Sequence, residues 1–472
     1  MDDTLVESSA RGGRVMPGRR VAPAGRRGES GTPVAQAASP TSPGPRSLAR
    51  GLAPARQAAS AIDGRRVCWL LVVFLILEYA RPPLIVLLRL QLLIILVLPL
   101  LWARSRERPW DPILTAQVLL LALLAQGVFT ATNNYAAYFT TRTMFGNVVI
   151  AVASTWLVAD FRNLRLLVWT WVAVMSYCAV YALTHGGVGP GGFIGDENDL
   201  ALGCTTALPF AFFGFEWLRG WRRWLCLGLA ILLISAIIAS FSRGGFVGLV
   251  GAAAYCFYAS RHKWRLLAAG LVAALAFVLL APPTYMDEIR TIRDTREGTA
   301  LTRRYLWTTA YRMWRANPIL GVGGGNFNFR AGEYQPRTGD WTRDLLERSW
   351  SGTTVHSLYF QVLAELGLAG VLLYLLVVGR HFYLLGRLRA AMRRDPRAPP
   401  DLVREVELYS SGLTSAMVGF LVAGAFLSVA YYPYPWYLSG IAVGLRAGAR
   451  RRLARVRASE EAPPACVGGS ST

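Results

Sequence analysis

The chain has 472 residues, 53% of them hydrophobic, and a formal net charge of +22. In a soluble protein that charge would point to nucleic acid, but here the apolar residues fall in nearly uncharged blocks of about 15 to 22 residues, long enough to cross a bilayer. The pattern excludes a soluble nucleic-acid binder and predicts an all-α polytopic membrane protein whose basic surplus meets anionic lipid headgroups.

Residues 1–60 are rich in Arg, Pro, Gly, Ala and Ser without apolar periodicity, which predicts a disordered basic cytoplasmic arm and no cleavable signal peptide. About twelve spans follow, at 67–80, 84–102, 112–131, 144–159, 164–184, 198–217, 222–240, 243–260, 264–281, 357–379, 410–430 and 434–446. Arg81-Pro82-Pro83 leaves no room for a loop between the first two, which suggests one bent hairpin. The chain therefore divides into membrane helices over 67–281, a large polar loop over 282–356, three more helices over 357–447 and a polar cytoplasmic tail at 453–472. The six cysteines show no CxxC or ligand-like spacing, and the four histidines are scattered, so the sequence offers no metal site and requires no cofactor.

Alternating charge fixes the expected orientation. Every second connection is basic: Arg104, Arg106 and Arg108; Arg162 and Arg165; Arg219, Arg222 and Arg223; Arg261, Lys263 and Arg265; and five arginines between 387 and 397. The positive-inside rule then puts both termini in the cytoplasm and the 282–356 loop outside, in the periplasm if the cell has two membranes.

An enzyme working on that side has no ATP or nucleotide sugar available. Its donor must arrive activated, as a lipid-linked sugar pyrophosphate, and its site needs cations for a diphosphate and a base for an acceptor hydroxyl. Arg243, in FSRGGFVGLV, stands at the outward turn between two spans, against the charge bias, where Ser242 can cap the next helix. The bland alternative is an arginine reaching for headgroups. His356 precedes the span HSLYFQVLAELGLAG; a helix amino terminus disfavours imidazolium, so a neutral general base is expected, with an interfacial hydrogen-bonding role as the alternative. Tyr359, three residues on, would share its face and orient it or a sugar. Glu365 lies about 180° round the helix from His356 and needs a partner elsewhere.

Arg303 and Arg304 open an amphipathic segment with Leu306, Thr309, Ala310 and Met313 on one face, ended by Asn317-Pro318, which predicts a helix on the outer membrane surface. Either arginine is a candidate second clamp on the diphosphate. GVGGGNF at 321–327 lacks the Lys-Ser/Thr end of a P-loop and predicts a turned wall of the site, with Asn326 available to a sugar. In GDENDLALG, Glu197 and Asp199 are either dipole-favoured helix-start acids or groups that orient the base or an arginine.

SFSRGGFVGL, the arginine pair before RANPILGVGGGNF, and HSLYFQVLAELGLAG together resemble the O-antigen ligase and polymerase superfamily, most closely the O-glycosylation ligases associated with exosortase A systems. The resemblance covers roughly residues 67–447. It implies a metal-independent, GT-C-type membrane glycosyltransferase using undecaprenyl-pyrophosphate-linked glycan at the periplasmic face of a bacterial inner membrane, with an acceptor protein, lipid or polysaccharide. It maps the family's essential arginine onto Arg243, its catalytic histidine onto His356, and the arginine before the Gly-rich motif onto Arg303 or Arg304. An arginine that some ligases carry in an earlier helix pair has no counterpart in DEND; Arg142 is a substitute candidate. A polysaccharide polymerase would use the same residues. A transporter, the competing class, would show mid-membrane ionisable residues and inverted repeats with broken helices.

Overall fold

The computed structural model describes residues 64–81, 89–105, 107–264 and 298–461. Residues 1–60, the predicted span 264–281 beyond Trp264, and the end of the tail lie outside the described residues. Within them every regular element is helical. In chain order these are α1 (Gly64–Leu75, continued by a π turn Ile76–Ala80), α2 (Leu90–Ala103), α3 (Pro112–Thr130), α4 (Asn134–Leu157), α5 (Phe161–Thr184), α6 (Glu197–Trp217), α7 (Trp221–Ala239) and α8 (Arg243–Ala259). There follow α9 (Gly298–Ala316), α10 (Phe327–Tyr334), α11 (Arg343–Glu347), α12 (Leu358–Arg394), α13 (Pro400–Gly424) and α14 (Tyr434–Glu461).

By length and composition, six of the described helices can cross a membrane: α3, α5, α6, α7, α12 and α13. The other predicted spans within the described residues fall on shorter or more polar helices. Pro112 opens α3 at the position where proline is tolerated, with Asp111 accepting the Ile113 N–H as cap; Asn133, Asp160 and Asp196 cap α4, α5 and α6 in the same way.

The bundle is built around α13, which packs against α6, α8, α12 and α14. A stripe of Gly440, Gly444 and Gly448 lets α14 lie directly on the backbone carbonyls of Ala151, Thr155 and Ala159, at the end of α4, where a Cβ would collide with them. One end of the bundle is laced by ion pairs: Asp111 accepts Arg380 at 3.1 Å and Arg446 at 2.8 Å, while Glu405 receives both Arg165 and Arg452 at 2.8 Å. At the opposite end Asn147 Nδ2 donates to the Tyr431 carbonyl at 3.0 Å.

The segment before α12 is more ordered than a polar loop. Leu306, Thr309, Ala310 and Met313 are fully buried, the face expected from their spacing. That face meets protein rather than lipid: it joins Tyr305, Val322, Phe327, Trp350 and Val355 in a small core that also includes Ala364 of α12, with Trp307 stacked on Phe360 at 5.3 Å. Burial of several aromatic side chains gives this segment a core of its own and seats it on the start of α12.

Candidate functional site

Helix α12 breaks at Gly367, whose backbone (φ 60°, ψ −159°) suits only glycine. The break frees two carbonyls and two amides, and the segment 318–323 takes all four. Val322 and Gly323 donate to the carbonyls of Ala364 and Glu365, while Leu368 and Ala369 donate to those of Pro318 and Ile319, at 2.9 to 3.1 Å. A break that would be costly in lipid is thus satisfied by protein.

The Gly-rich turn then wraps the Glu365 side chain. Its carboxylate accepts the Gly325 N–H at 2.9 Å, the Phe327 N–H at 3.1 Å and the Tyr431 hydroxyl at 2.6 Å. Gly321, Gly323 and Gly325 all have positive φ, the conformation that lets the turn present its N–H groups inward. Its anion is therefore the chain's own glutamate. Asn326 is fully buried beside it, exchanging bonds with the backbone of Asn133 at 2.8 and 3.2 Å, so its amide staples the turn to the start of α4 and does not face a sugar.

Two arginines and a histidine, from three separate segments, lie at this end of the bundle. Arg243 is the first residue of α8, fixed by Ser242, whose Oγ accepts the Gly245 N–H at 3.0 Å and donates to Asn198 Oδ1 at 2.7 Å. Gly245 packs against Ala201 and Gly244 against Leu427, so their lack of side chains serves helix packing. Arg303, in the second turn of α9, is half-buried with its guanidinium 5.7 Å from the centre of the Phe426 ring. Burial first, and then the Arg243 charge, lowers the proton affinity of Arg303. Arg304 is exposed. His356 completes the group: burial, and then the Arg303 guanidinium, hold its imidazole below the ordinary histidine value. Arg303 therefore lies close enough to both Arg243 and His356 to act on each.

His356 is held in an unusual way. It is a non-glycine residue at φ 50°, lying before the Ser357 cap rather than in α12, and its N–H donates to Ser428 Oγ at 2.8 Å. Its Nε2 is 3.3 Å from Thr354 Oγ1, which leaves Nδ1 without a hydrogen-bond partner among the described residues. Because the histidine is outside the helix, the helical spacing that would pair it with Tyr359 does not apply. The Tyr359 hydroxyl instead donates to the Leu421 carbonyl at 2.8 Å.

The acidic pair takes indirect roles. Asp199 accepts the Tyr432 hydroxyl at 2.7 Å; Glu197 accepts from Asn198 Nδ2 at 3.3 Å, and Asn198 in turn holds Ser242 beside Arg243. Arg142 lines a cleft of about 480 Å³ with Glu78, Asn147 and Tyr437, a lining that does not include Arg243, Arg303 or His356. The sequence reading missed Ser428, Phe426 and Asn198 as supports of the site; of these only Asn198 sat in a motif that had drawn notice. Among the described residues no three His, Cys, Asp or Glu side chains are grouped as metal ligands.

Residues 228–375 match the family model described as O-antigen ligase. That match places the domain in the O-antigen ligase/polymerase superfamily. No curated protein matches the chain. The O-antigen ligase domain runs from α7 into α12, and so includes Arg243, Arg303, His356, the Gly-rich turn and Glu365. Six of the described helices are long and apolar enough to cross a membrane, which with the match supports an integral membrane protein with an O-antigen-ligase-like region.

Proposed function

We propose that the chain transfers a glycan from undecaprenyl pyrophosphate to an acceptor hydroxyl on protein, lipid or polysaccharide, at the periplasmic face of the inner membrane. The observation that carries this reading is that Arg303 lies close enough to both Arg243 and His356 to act on each, the three coming from separate segments of the matched region. Two guanidinium groups beside a neutral imidazole suit a diphosphate on one side and an acceptor hydroxyl on the other.

In the reaction, His356 accepts the acceptor's O–H proton as that oxygen attacks the anomeric carbon. The bond from that carbon to the diphosphate oxygen breaks, and the electron pair leaves with undecaprenyl diphosphate. Arg243 and Arg303 offset the charge growing on the leaving group, as oxyanion donors do in a site shielded from water. In this scheme Nδ1 takes the acceptor's proton, which requires the tautomer whose Nε2–H donates to Thr354 Oγ1. No divalent cation has a step in this scheme.

Purified protein given a defined undecaprenyl-pyrophosphate glycan and candidate acceptors tests the proposal, with chelator in a parallel reaction. Glycan on a distinct acceptor, insensitive to chelator, identifies a ligase; a ladder of longer lipid-linked chains identifies a polymerase. Absence of both products with every donor tried, from protein that binds those donors, would reject glycan transfer.

A further inference from the structure

A second anion site stands at the opposite end of the bundle. A groove of about 500 Å³ between α12 and α14 is lined by Arg380, Arg387, Arg394, Arg446, Arg450 and Arg457, with Asp395 the one acid among its lining residues. Asp111 holds Arg380 and Arg446 from behind, and Asp395 holds Arg457 at 2.6 Å. Arg387, Arg394 and Arg450 are exposed, and none of them has an acidic partner among the described residues.

The floor of the groove is apolar, made by Leu384, Leu388 and Leu453. On the side of α12 that carries Tyr383 and Arg387, turned away from the buried Leu384 and Leu388, an exposed stripe of Leu368, Leu372, Leu375 and Leu376 leads to the rim of the groove. At 1.5 Å per residue Leu375 lies about 18 Å from Arg387, close to half of the ~30 Å hydrocarbon thickness of a bilayer. The part of the track from Leu375 on is about one leaflet long and ends in arginines without acidic partners among the described residues, the dimensions of a lipid with a charged head.

We propose that this groove binds an anionic diacyl phospholipid, its phosphate held by Arg387, Arg394 and Arg450 and an acyl chain lying on the leucine stripe. A soluble anion would meet the same arginines but gain nothing from Leu372 and Leu375. A zwitterionic lipid would fit the stripe but bring its own cation to an arginine cluster.

Native mass spectrometry of the full chain, released from micelles with equal phosphatidylglycerol and phosphatidylcholine, reads the preference directly. A preference of at least about tenfold for phosphatidylglycerol is expected from three basic contacts; equal retention overturns the proposal without any variant. The combined substitution Arg387→Gln, Arg394→Gln, Arg450→Gln should remove the preference, whereas Arg219→Gln with Arg222→Gln, exposed charges at the same end, should leave it intact. Loss in both variants would make it a bulk charge effect and reject the groove. Inorganic phosphate and glycerol 3-phosphate, added in place of lipid, should fail to bind; retention of either as tightly as phosphatidylglycerol would reject a lipid occupant.

Discussion

The Glu365 carboxylate accepts the backbone N–H of Gly325 at 2.9 Å, across 40 residues of sequence. With Phe327 N–H and the Tyr431 hydroxyl on the same carboxylate, the Gly-rich turn is closed on an internal anion, and the substrate's phosphates must be met elsewhere. The turn's role is to lock the broken helix α12, and through it the corner that carries His356.

Removing that lock should cost stability before chemistry. Glu365→Ala leaves two buried amides and a hydroxyl unpaired, at about 1 to 3 kcal/mol each, and should lower the melting temperature in detergent by many degrees. Glu365→Gln keeps one acceptor oxygen and should fall between. Gly367→Ala should destabilise as well, by about 1 to 3 kcal/mol for the backbone alone, because its φ is positive and a Cβ would press on the Ile319 carbonyl at 2.5 Å. An unchanged melting temperature in both alanine variants would contradict this assignment.

The two neighbouring arginines of α9 should separate cleanly. Arg303 is half-buried against Phe426 and electrostatically linked to Arg243 and His356; Arg304 is exposed. Arg303→Gln should reduce kcat by about a hundredfold or more, the usual cost of losing a transition-state donor, whereas Arg304→Gln should stay within about threefold. Steady-state kinetics of the pair decides it, and the reverse order would move the diphosphate to the other face of α9.

Histidine also makes the rate depend on pH with a definite sign. The neutral imidazole is the base, and burial and then Arg303 hold its pKa below the ordinary histidine value, so the acid limb of kcat/KM should lie at lower pH than an ordinary histidine would give. Replacing Arg303 by Gln removes a neighbouring cation, raises the His356 pKa, and shifts the acid limb to higher pH, while burial keeps it from moving further. A limb that stays fixed or moves to lower pH in that variant would exclude the contact.

Much of this architecture was legible because hydropathy and charge alternate along the chain on the same scale as the helices. The apolar face of α9 was readable from Leu306, Thr309, Ala310 and Met313, since helical spacing alone decides which residues share a side. What covers that face was not readable, because Trp350 and Ala364 reach it only through tertiary folding. The predicted start of α4 at 144 fell ten residues late: the polar first turns after Asn133 look like a loop, yet the Asn133 side chain caps Ala136 N–H and begins the helix there. The break at Gly367 gave no signal, as ELGLAG reads like any small-residue stretch of a span; its cause is the strand-like exchange with residues 318–323. The same limit misplaced Tyr359 and Asn326. One was assigned by helical spacing from a residue that is outside the helix, the other by composition, without knowledge that Asn133 would use its amide.

The central claim is that His356 acts on the acceptor while the arginines act on the donor. The most direct measurement is a single-turnover transfer assay on His356→Ala, paired with binding of the same undecaprenyl-pyrophosphate glycan to that variant. Transfer lost by about a thousandfold or more, with donor affinity within a few fold of the parent protein, is the predicted result. Transfer at an undiminished rate would contradict the account.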